Sequence, residues 1–568
     1  MTFFARGAAL ALAICAGAAQ AQERLSYGTV GAYLAARQAD AQSDFTAAAK
    51  FYAEALALEP ANLELIERTL TAQFALGQHE EAARLGSRLL AFGAQSQAAQ
   101  IASITKDALG GRYARIERQF VQGTLIGALV DQMLLAWAQV GIGDIDGAIA
   151  TFDKSISGEG LRAFAYHQKA LALGLDGQYA EAESVLAELH ALDIAPSRRM
   201  LLARVELLSQ LGENGRASAL IAEELGAEPD AGFADILERL DAGERLPFSV
   251  VQTPAHGMAE VFFAVAAALD GEANDKYTLL YARAAEALNP DHIDALLMSG
   301  QLLERMGNPI LATRTYDRVP RQAPEYITAE IGRAAALESA AKPDAAVEVL
   351  HQLAESFPDT ALVHSSLGDT LRRMEQYGPA IEAYDISLEI SGPPVPEHWS
   401  IYFMRGISHE REGAWPAAEA DFRMALELRP NEPQVLNYLG YSLVEKRLKL
   451  DEALEMITTA AELRPDSGHI LDSLGWVLYR LGRFEEAVAP MEAAVELVSS
   501  DPIINDHLGD VYWAVGRVAE AEFQWLRALS FDPVPEEAER IRRKLEVGLD
   551  VVLEEEGAEP IELANDDG

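Results

Sequence analysis

Few segments of this 568-residue chain place residues at the spacing that catalysis or metal binding requires. A zinc-binding helix of the H-E-x-x-H type needs a second histidine four residues after the first, but the stretch that begins at His409 has Gly413 there. The glycine-rich stretch Gly141–Gly147 lacks the spacing of a dinucleotide-binding loop, and neither a G-x-S-x-G motif nor a P-loop occurs. The sequence therefore predicts a protein that is not an enzyme and has no cofactor and no metal site.

Charge and composition narrow the class of partner. The chain has 46 Lys and Arg against 88 Asp and Glu, which gives a net charge of −42. Because phosphate backbones are bound by clustered Lys and Arg, this charge argues against nucleic acid as the main partner. Cys15 is the only cysteine, which excludes an intramolecular disulfide and a multi-thiolate metal site. The length exceeds that of one hydrophobic core, so several domains or a repeat array are expected.

A period of 34 residues runs through nearly the whole chain. In the clearest units, a glycine is followed twelve residues later by an alanine and then, four residues on, by a large side chain. The marker alanines are Ala48, Ala82, Ala148, Ala182, Ala217, Ala312, Ala346, Ala380, Ala418, Ala453, Ala487 and Ala521, with Ile116 and Thr278 as weaker members. The glycines are Gly300, Gly368, Gly406, Gly440, Gly475 and Gly509. Such self-similarity predicts a stack of repeated units.

The spacing has a direct physical meaning. A residue larger than alanine would force apart two helices at their closest crossing, and a glycine in the first helix allows a similar approach. Each unit then buries its apolar face only against its neighbours. A 34-residue period is that of the tetratricopeptide (TPR) helix-turn-helix unit, and the chain resembles this family over residues 29–533. The resemblance implies an all-α fold, an α-solenoid superhelix of about 14 helix pairs in two arrays with a C-terminal capping helix.

The repeat pattern is interrupted once by 61 residues between Ala217 and Thr278. We interpret the interruption as a boundary, with an N-terminal superhelix at 22–225, an irregular break at 226–258 and a C-terminal superhelix at 259–533. The alternative is a long loop between repeats that has no hinge role. Residues 534–553 are predicted to form the capping helix. Residues 554–568, with seven acids and no bases, are predicted to be a disordered tail.

The resemblance to TPR proteins also implies a binding groove on the first helices of the pairs. Residues three before and one after the glycine, and one turn further on, would face a partner there. The candidates are Asp369, Asn437, Tyr441, Asp472, Trp476, Tyr479, Asp506, Asp510 and Trp513. The family's best-known groove holds a carboxylate with Lys, Asn and Arg, whereas acids and aromatics predominate here and favour a basic or apolar partner. The alternative is that the aromatics pack between helices and the acids are solvated.

The N-terminus predicts export. Residues 1–21 combine Arg6, an apolar run and the sequence Ala19-Gln20-Ala21, which is typical of a signal peptide cleaved after Ala21. The run is too short to span a bilayer. The mature protein is therefore expected in the periplasm without a transmembrane span. A lipoprotein at the outer membrane is the alternative, although a bulky Ile14 precedes the cysteine.

The C-terminal strings LNYLGYSLVEK, LDSLGWVLYRLGRFEEAV and INDHLGDVYWAVGRVAEA resemble bacterial cell-envelope TPR adaptors that partner a carboxyl-terminal-processing protease. This resemblance implies a non-catalytic scaffold that links an envelope protease to cell-wall hydrolase substrates. Two alternatives stay open: an assembly factor for exported polysaccharide or outer-membrane machinery, and a self-associating structural solenoid. The sequence does not determine the oligomeric state.

Overall fold

The structure is a computed structural model that describes residues 29–123, 126–156, 162–190, 196–226 and 229–557. Within these ranges the chain forms 31 α-helices and one short 3-10 helix, and no strand. The predicted signal peptide and residues 558–568 of the predicted tail lie outside the described residues. The prediction of an all-α fold is confirmed.

Two compact units divide the chain between Leu353 and Ala354. The first contains α1 (Thr29–Ala41), α2 (Phe45–Leu58), α3 (Leu63–Ala75), α4 (His79–Ala91), α5 (Gln97–Leu109), α6 (Tyr113–Gln122), α7 (Ala128–Gly141), α8 (Ile145–Ile156), α9 (Arg162–Leu175), α10 (Tyr179–His190), α11 (Arg198–Gln210), α12 (Asn214–Leu225), α13 (Ala231–Asp241), α14 (Pro254–Leu269), α15 (Asp275–Leu288), α16 (Ile293–Arg305), α17 (Pro309–Tyr316), α18 (Tyr326–Ser339) and most of α19 (Pro343–Ser356).

The second unit contains α20 (Ala361–Arg373), α21 (Tyr377–Ser391), α22 (Trp399–Arg411), α23 (Trp415–Leu428), α24 (Pro433–Glu445), α25 (Leu450–Leu463), α26 (Gly468–Arg480), α27 (Phe484–Leu497), α28 (Pro502–Ala514), α29 (Val518–Leu529), α30 (Pro535–Val547) and α31 (Leu549–Glu555). Apart from α13, α30 and α31, the described helices form 14 successive pairs, each joined by a turn of three to five residues. This number agrees with the repeat count predicted from the sequence.

The marker positions lie at the contacts between the helices of each pair. All twelve alanines, as well as Ile116 and Thr278, are 0% exposed. The glycines make room for the large side chain that follows the alanine: a Cβ at Gly509 would lie 2.4 Å from the Trp525 indole, and one at Gly475 would lie 2.4 Å from Met491. The glycine therefore accommodates a side chain of the second helix and not only the close approach of two backbones.

The predicted break at 226–258 lies inside the first unit and not at its end. Leu246, Val250 and Val251 are buried, and the Glu206 carboxylate accepts the backbone N–H groups of Ser249 and Val250 at 2.7 and 3.3 Å. These bonds satisfy backbone groups that an irregular segment would otherwise leave unpaired. The segment is a fixed connection, and the chain divides about a hundred residues later, at 353.

Helices α14 and α15 pack back onto earlier pairs. Thr253 caps the start of α14 by accepting the His256 N–H, and Pro254 takes the first helical position. From there α14 lies on α7 and α9, and α15 lies on α3 and α5, all four of which are first helices of their pairs. The inner surface of these pairs is therefore covered by the chain itself.

Specific contacts hold α14 and α15 in place. Gly257 of α14 lies against the fully buried Trp137 of α7, where a Cβ would come within 2.3 Å of the indole ring. Lys276 of α15 is bonded to the backbone and the carboxylate of Asp40. These contacts join residues that are more than a hundred positions apart in the chain, so the repeat period does not reveal them.

The predicted capping segment forms two helices instead of one. Gly548, with φ of +87°, separates α30 from α31, and this left-handed conformation is one that glycine adopts without strain. A Cβ at Gly548 would also lie 2.8 Å from the Trp513 ring. Helix α31 consequently turns back against the last helix pair.

Candidate functional site

A cavity of about 600 Å³ lies on the first helices α22, α24, α26 and α28 of four successive pairs. It is lined by Glu410, Arg411, Asn437, Tyr438, Tyr441, Ser442, Glu445, His469, Asp472, Ser473, Ile503 and His507. The period places these helices side by side, because each pair presents its first helix on the same surface. Carboxylates and aromatic rings dominate the lining.

Three of the predicted groove residues line this cavity: Asn437, Tyr441 and Asp472. The Oδ1 atom of Asn437 is buried and has no hydrogen-bond partner among the described residues. Trp476 forms part of the same wall, since its indole N–H donates to Glu445 at 2.9 Å. Its ring stacks on His507 with a centroid distance of 4.1 Å.

Asp472 and His507 form an ion pair at the edge of the cavity. His507 Nδ1 lies 3.0 Å from Asp472 Oδ1. Burial alone would lower the pKa of His507, but the Asp472 carboxylate outweighs it, with Asp506 and Asp510 adding to its effect, so the pKa is raised above 6.5. The imidazolium is thus favoured, and it stacks on the Trp476 ring.

The raised pKa of His507 predicts that stability depends on pH. Because the charged form is favoured in the folded state, its contribution is complete below the unfolded pKa of about 6.5 and is lost as the pH rises through the folded pKa. Urea unfolding between pH 6 and pH 9 should show this loss in the wild type and not in His507→Gln. The same substitution at the exposed His351 should leave the wild-type pH dependence intact, and a loss there too would contradict the assignment.

Asp506, Asp510 and Trp513 do not face the cavity, because the capping helices are their partners. The Nζ of Lys544 in α30 lies 2.6 to 2.9 Å from the carboxylate oxygens of Asp506 and Asp510. The Trp513 indole donates to Asp550 of α31 at 3.1 Å. The sequence contained a signal for the first contact, since Lys544 follows Asp510 by 34 residues, which is one repeat period.

Asp369 and Tyr479 also lie outside the cavity. Asp369 accepts the Tyr384 hydroxyl of its own pair at 2.7 Å, and Asp510 accepts the Trp525 indole at 2.9 Å in the same relation. Tyr479 is 8% exposed, and its burial raises the pKa of its hydroxyl. The position after the glycine is therefore engaged by the second helix of the pair whenever that helix carries a ring with a donor.

Sequence reasoning missed several lining residues. Tyr438 and His507 each stand two residues before the glycine, and Glu410 and Glu445 lie in the last turn of their helices. These positions neighbour the ones chosen from the repeat register, so a wider selection on the same helix face could have included them. Ile503 and His469 belong to the first turns of α28 and α26.

The described residues contain no group of three or more His, Cys, Asp or Glu placed to hold a metal ion. Among the described helices, none combines the length and apolar character needed to cross a membrane.

Repeated helix pairs with a cavity on their first helices define an α-solenoid of the kind that binds other proteins. The chain contains tetratricopeptide repeats: the family model described as tetratricopeptide repeat matches residues 366–433 and 439–502. The cavity lies largely within these matched residues.

A relative in Pseudomonas aeruginosa, TPR repeat-containing protein PA4667, is 28% identical over 189 residues. The match covers 33% of this chain, and the chain spans about a third (31%) of that relative's length. Among solved structures, the Cut9 and Hcn1 hetero-tetramer of the APC/C has a TM-score of 0.40 at 15% identity, covering 93% of this chain and 98% of that one. Yeast Tom70 has a TM-score of 0.35 at 15% identity, covering 93% and 98%.

Proposed function

We propose that this protein is a non-catalytic scaffold that binds a segment of a partner protein in the cavity formed by α22, α24, α26 and α28. The observation that carries the proposal is the arrangement of Asn437, Tyr441 and Trp476. These side chains combine aromatic surface with hydrogen-bonding groups, and one acceptor, Asn437 Oδ1, is unpartnered. Such combinations are characteristic of protein-recognition sites.

Photo-crosslinking tests the position of the partner. A crosslinking amino acid replaces Tyr441 in the cavity or, as a matched control, Phe523, which is 61% exposed on α29. The full-length protein is then irradiated in the cells that make it. We expect a protein adduct from position 441 that disappears when Asn437 and Trp476 are both changed to alanine. An adduct of equal yield from position 523, or none from 441, would overturn the proposal.

A finer proposal concerns the compartment and the partner. The sequence of residues 1–21 supports export to the periplasm, and the three C-terminal strings support a role in bringing an envelope protease to its substrates. A fusion of alkaline phosphatase to the C-terminus should be active if the chain is exported. The adduct from position 441 should contain the protease or one of its cell-wall hydrolase substrates. An inactive fusion would reject export, and an adduct with polysaccharide-assembly proteins would favour the alternative assembly role.

A further inference from the structure

The first helices of the last two pairs each hold a basic side chain beside a carboxylate and an indole ring. Asp506 and Asp510 bind Lys544, whose Nζ lies 5.7 Å from the centre of the Trp525 ring. One pair earlier, Asp472 binds His507, which stacks on Trp476. This surface of the protein therefore already binds two cations of its own chain in the same manner.

The equivalent position one pair further back is Asn437, three residues before Gly440. Its Oδ1 accepts no hydrogen bond from the described residues, in contrast to Asp472 and Asp506. No basic residue of a following pair is bonded to it, and the cavity opens at this point. The structure thus repeats the acceptor and the rings here without the internal cation.

Glu410 and Glu445 supply negative charge around Asn437. Their nearest cations are at a distance, with Lys446 3.7 Å from Glu410 and Arg480 3.6 Å from Glu445. Because a carboxylate can accept about four hydrogen bonds, both retain capacity for a further donor.

Tyrosine hydroxyls in the cavity report the same negative field. Burial, with the carboxylates of Glu445 and Asp472, raises the pKa of Tyr441. Burial and Glu410 likewise raise the pKa of Tyr438. A bound cation would therefore be favoured in this part of the cavity.

We infer that the cavity recognises a lysine or arginine side chain on an extended segment of the partner. The charged group would be held by Glu410 and Glu445 beside the rings of Tyr441 and Trp476. A backbone N–H of the same segment would donate to Asn437 Oδ1. This inference rests on the proposed function, and it names the chemistry of the segment that the cavity accepts.

An acidic segment fits the lining less well. Arg411 and His507 are the charged bases of the cavity that the structure supports, and His507 is neutralised by Asp472. The net charge of the chain, −42, adds long-range repulsion for an acidic partner and attraction for a basic one.

Selection from a random-peptide phage library tests the inference. The full-length protein is immobilised, and the peptides it retains are sequenced. Three proteins are compared: the wild type, Glu410→Lys with Glu445→Lys, and a control with Glu485→Lys and Glu496→Lys on exposed positions of α27. We expect Lys and Arg to be enriched by the wild type and by the control. The cavity charge swap should instead enrich Asp and Glu.

A single selected peptide provides the quantitative test. Changing its basic residue to alanine should weaken binding to the wild type by about tenfold or more. A second variant, Glu410→Gln with Glu445→Gln, keeps the side-chain shape and should lose the preference for basic peptides without gaining one for acidic peptides.

The outcomes separate this inference from the proposed function. Peptides that bind in the cavity but show no basic residue, or an acidic one, would overturn the inference and leave the scaffold proposal intact. Peptides that ignore all cavity substitutions, together with no crosslink from position 441, would overturn both. Circular dichroism of each variant verifies that the helices are retained.

Discussion

Replacing Lys544 with alanine is expected to destabilise the second unit by about 3–5 kcal/mol, because two buried carboxylates lose their cation. Lys544 is 1% exposed, and its Nζ is 2.6 to 2.9 Å from the oxygens of Asp506 and Asp510. Asp510 is also 1% exposed, so water cannot replace the ammonium group. Arg540 lies 3.7 Å from Asp510 and compensates only in part. Hydrogen exchange of α28 to α31 and urea unfolding of the full chain measure the effect.

Arg543→Ala is the matched control for this prediction. Arg543 lies on the same helix, and its ion pairs with Glu546 and Glu555 are exposed, so its loss should cost only about 0–1 kcal/mol. The triple variant Lys544→Met, Asp506→Asn, Asp510→Asn removes the charges together and should recover much of the lost stability. If Lys544→Ala unfolds at the same urea concentration as Arg543→Ala, the buried ion pair does not hold the cap.

The repeated part of the fold could be predicted from the sequence because its contacts are local. A marker such as Ala487 meets the helix that directly precedes it, so the same residue type returns every 34 residues wherever two helices cross. The repeat register therefore indicated the number of helix pairs. It also indicated the helices that carry the cavity.

Contacts between distant residues leave no such period. Helices α14 and α15 belong to a regular pair by their own pattern, yet they pack on α3, α5, α7 and α9. The residues that make this possible, such as Gly257 and Lys276, occur once, and one sequence does not show what a single glycine faces. The boundary at 353 was missed for the same reason.

The candidate site was predicted in part. The register placed Asn437, Tyr441 and Asp472 on the correct helices, and these residues do line the cavity. It could not show which carboxylates are already paired, because pairing depends on residues from the next pair or from the cap. The structure adds His507 to one such pair and Lys544 to the other.

Gly257→Ala is expected to destabilise the first unit by about 3 kcal/mol, at the upper end of what overpacking a core costs. The new Cβ would lie 2.3 Å from three atoms of the Trp137 indole, which is 0% exposed. The ring is further fixed by its N–H, which donates to Gln168 at 2.7 Å, so it cannot move aside without breaking a buried hydrogen bond. Helix α14 must therefore shift, and with it the cover over α7 and α9.

Urea unfolding and hydrogen exchange of α7, α9 and α14 check this result. Gly215→Ala is the control, since Gly215 is an exposed helical glycine with no atom near its Cβ position, and it should be neutral or stabilising by about 1 kcal/mol. Adding Trp137→Leu to Gly257→Ala removes the clashing ring, so the two effects should be less than additive. Full additivity, or equal stability of Gly257→Ala and Gly215→Ala, would mean that α14 does not rest on Trp137 in solution.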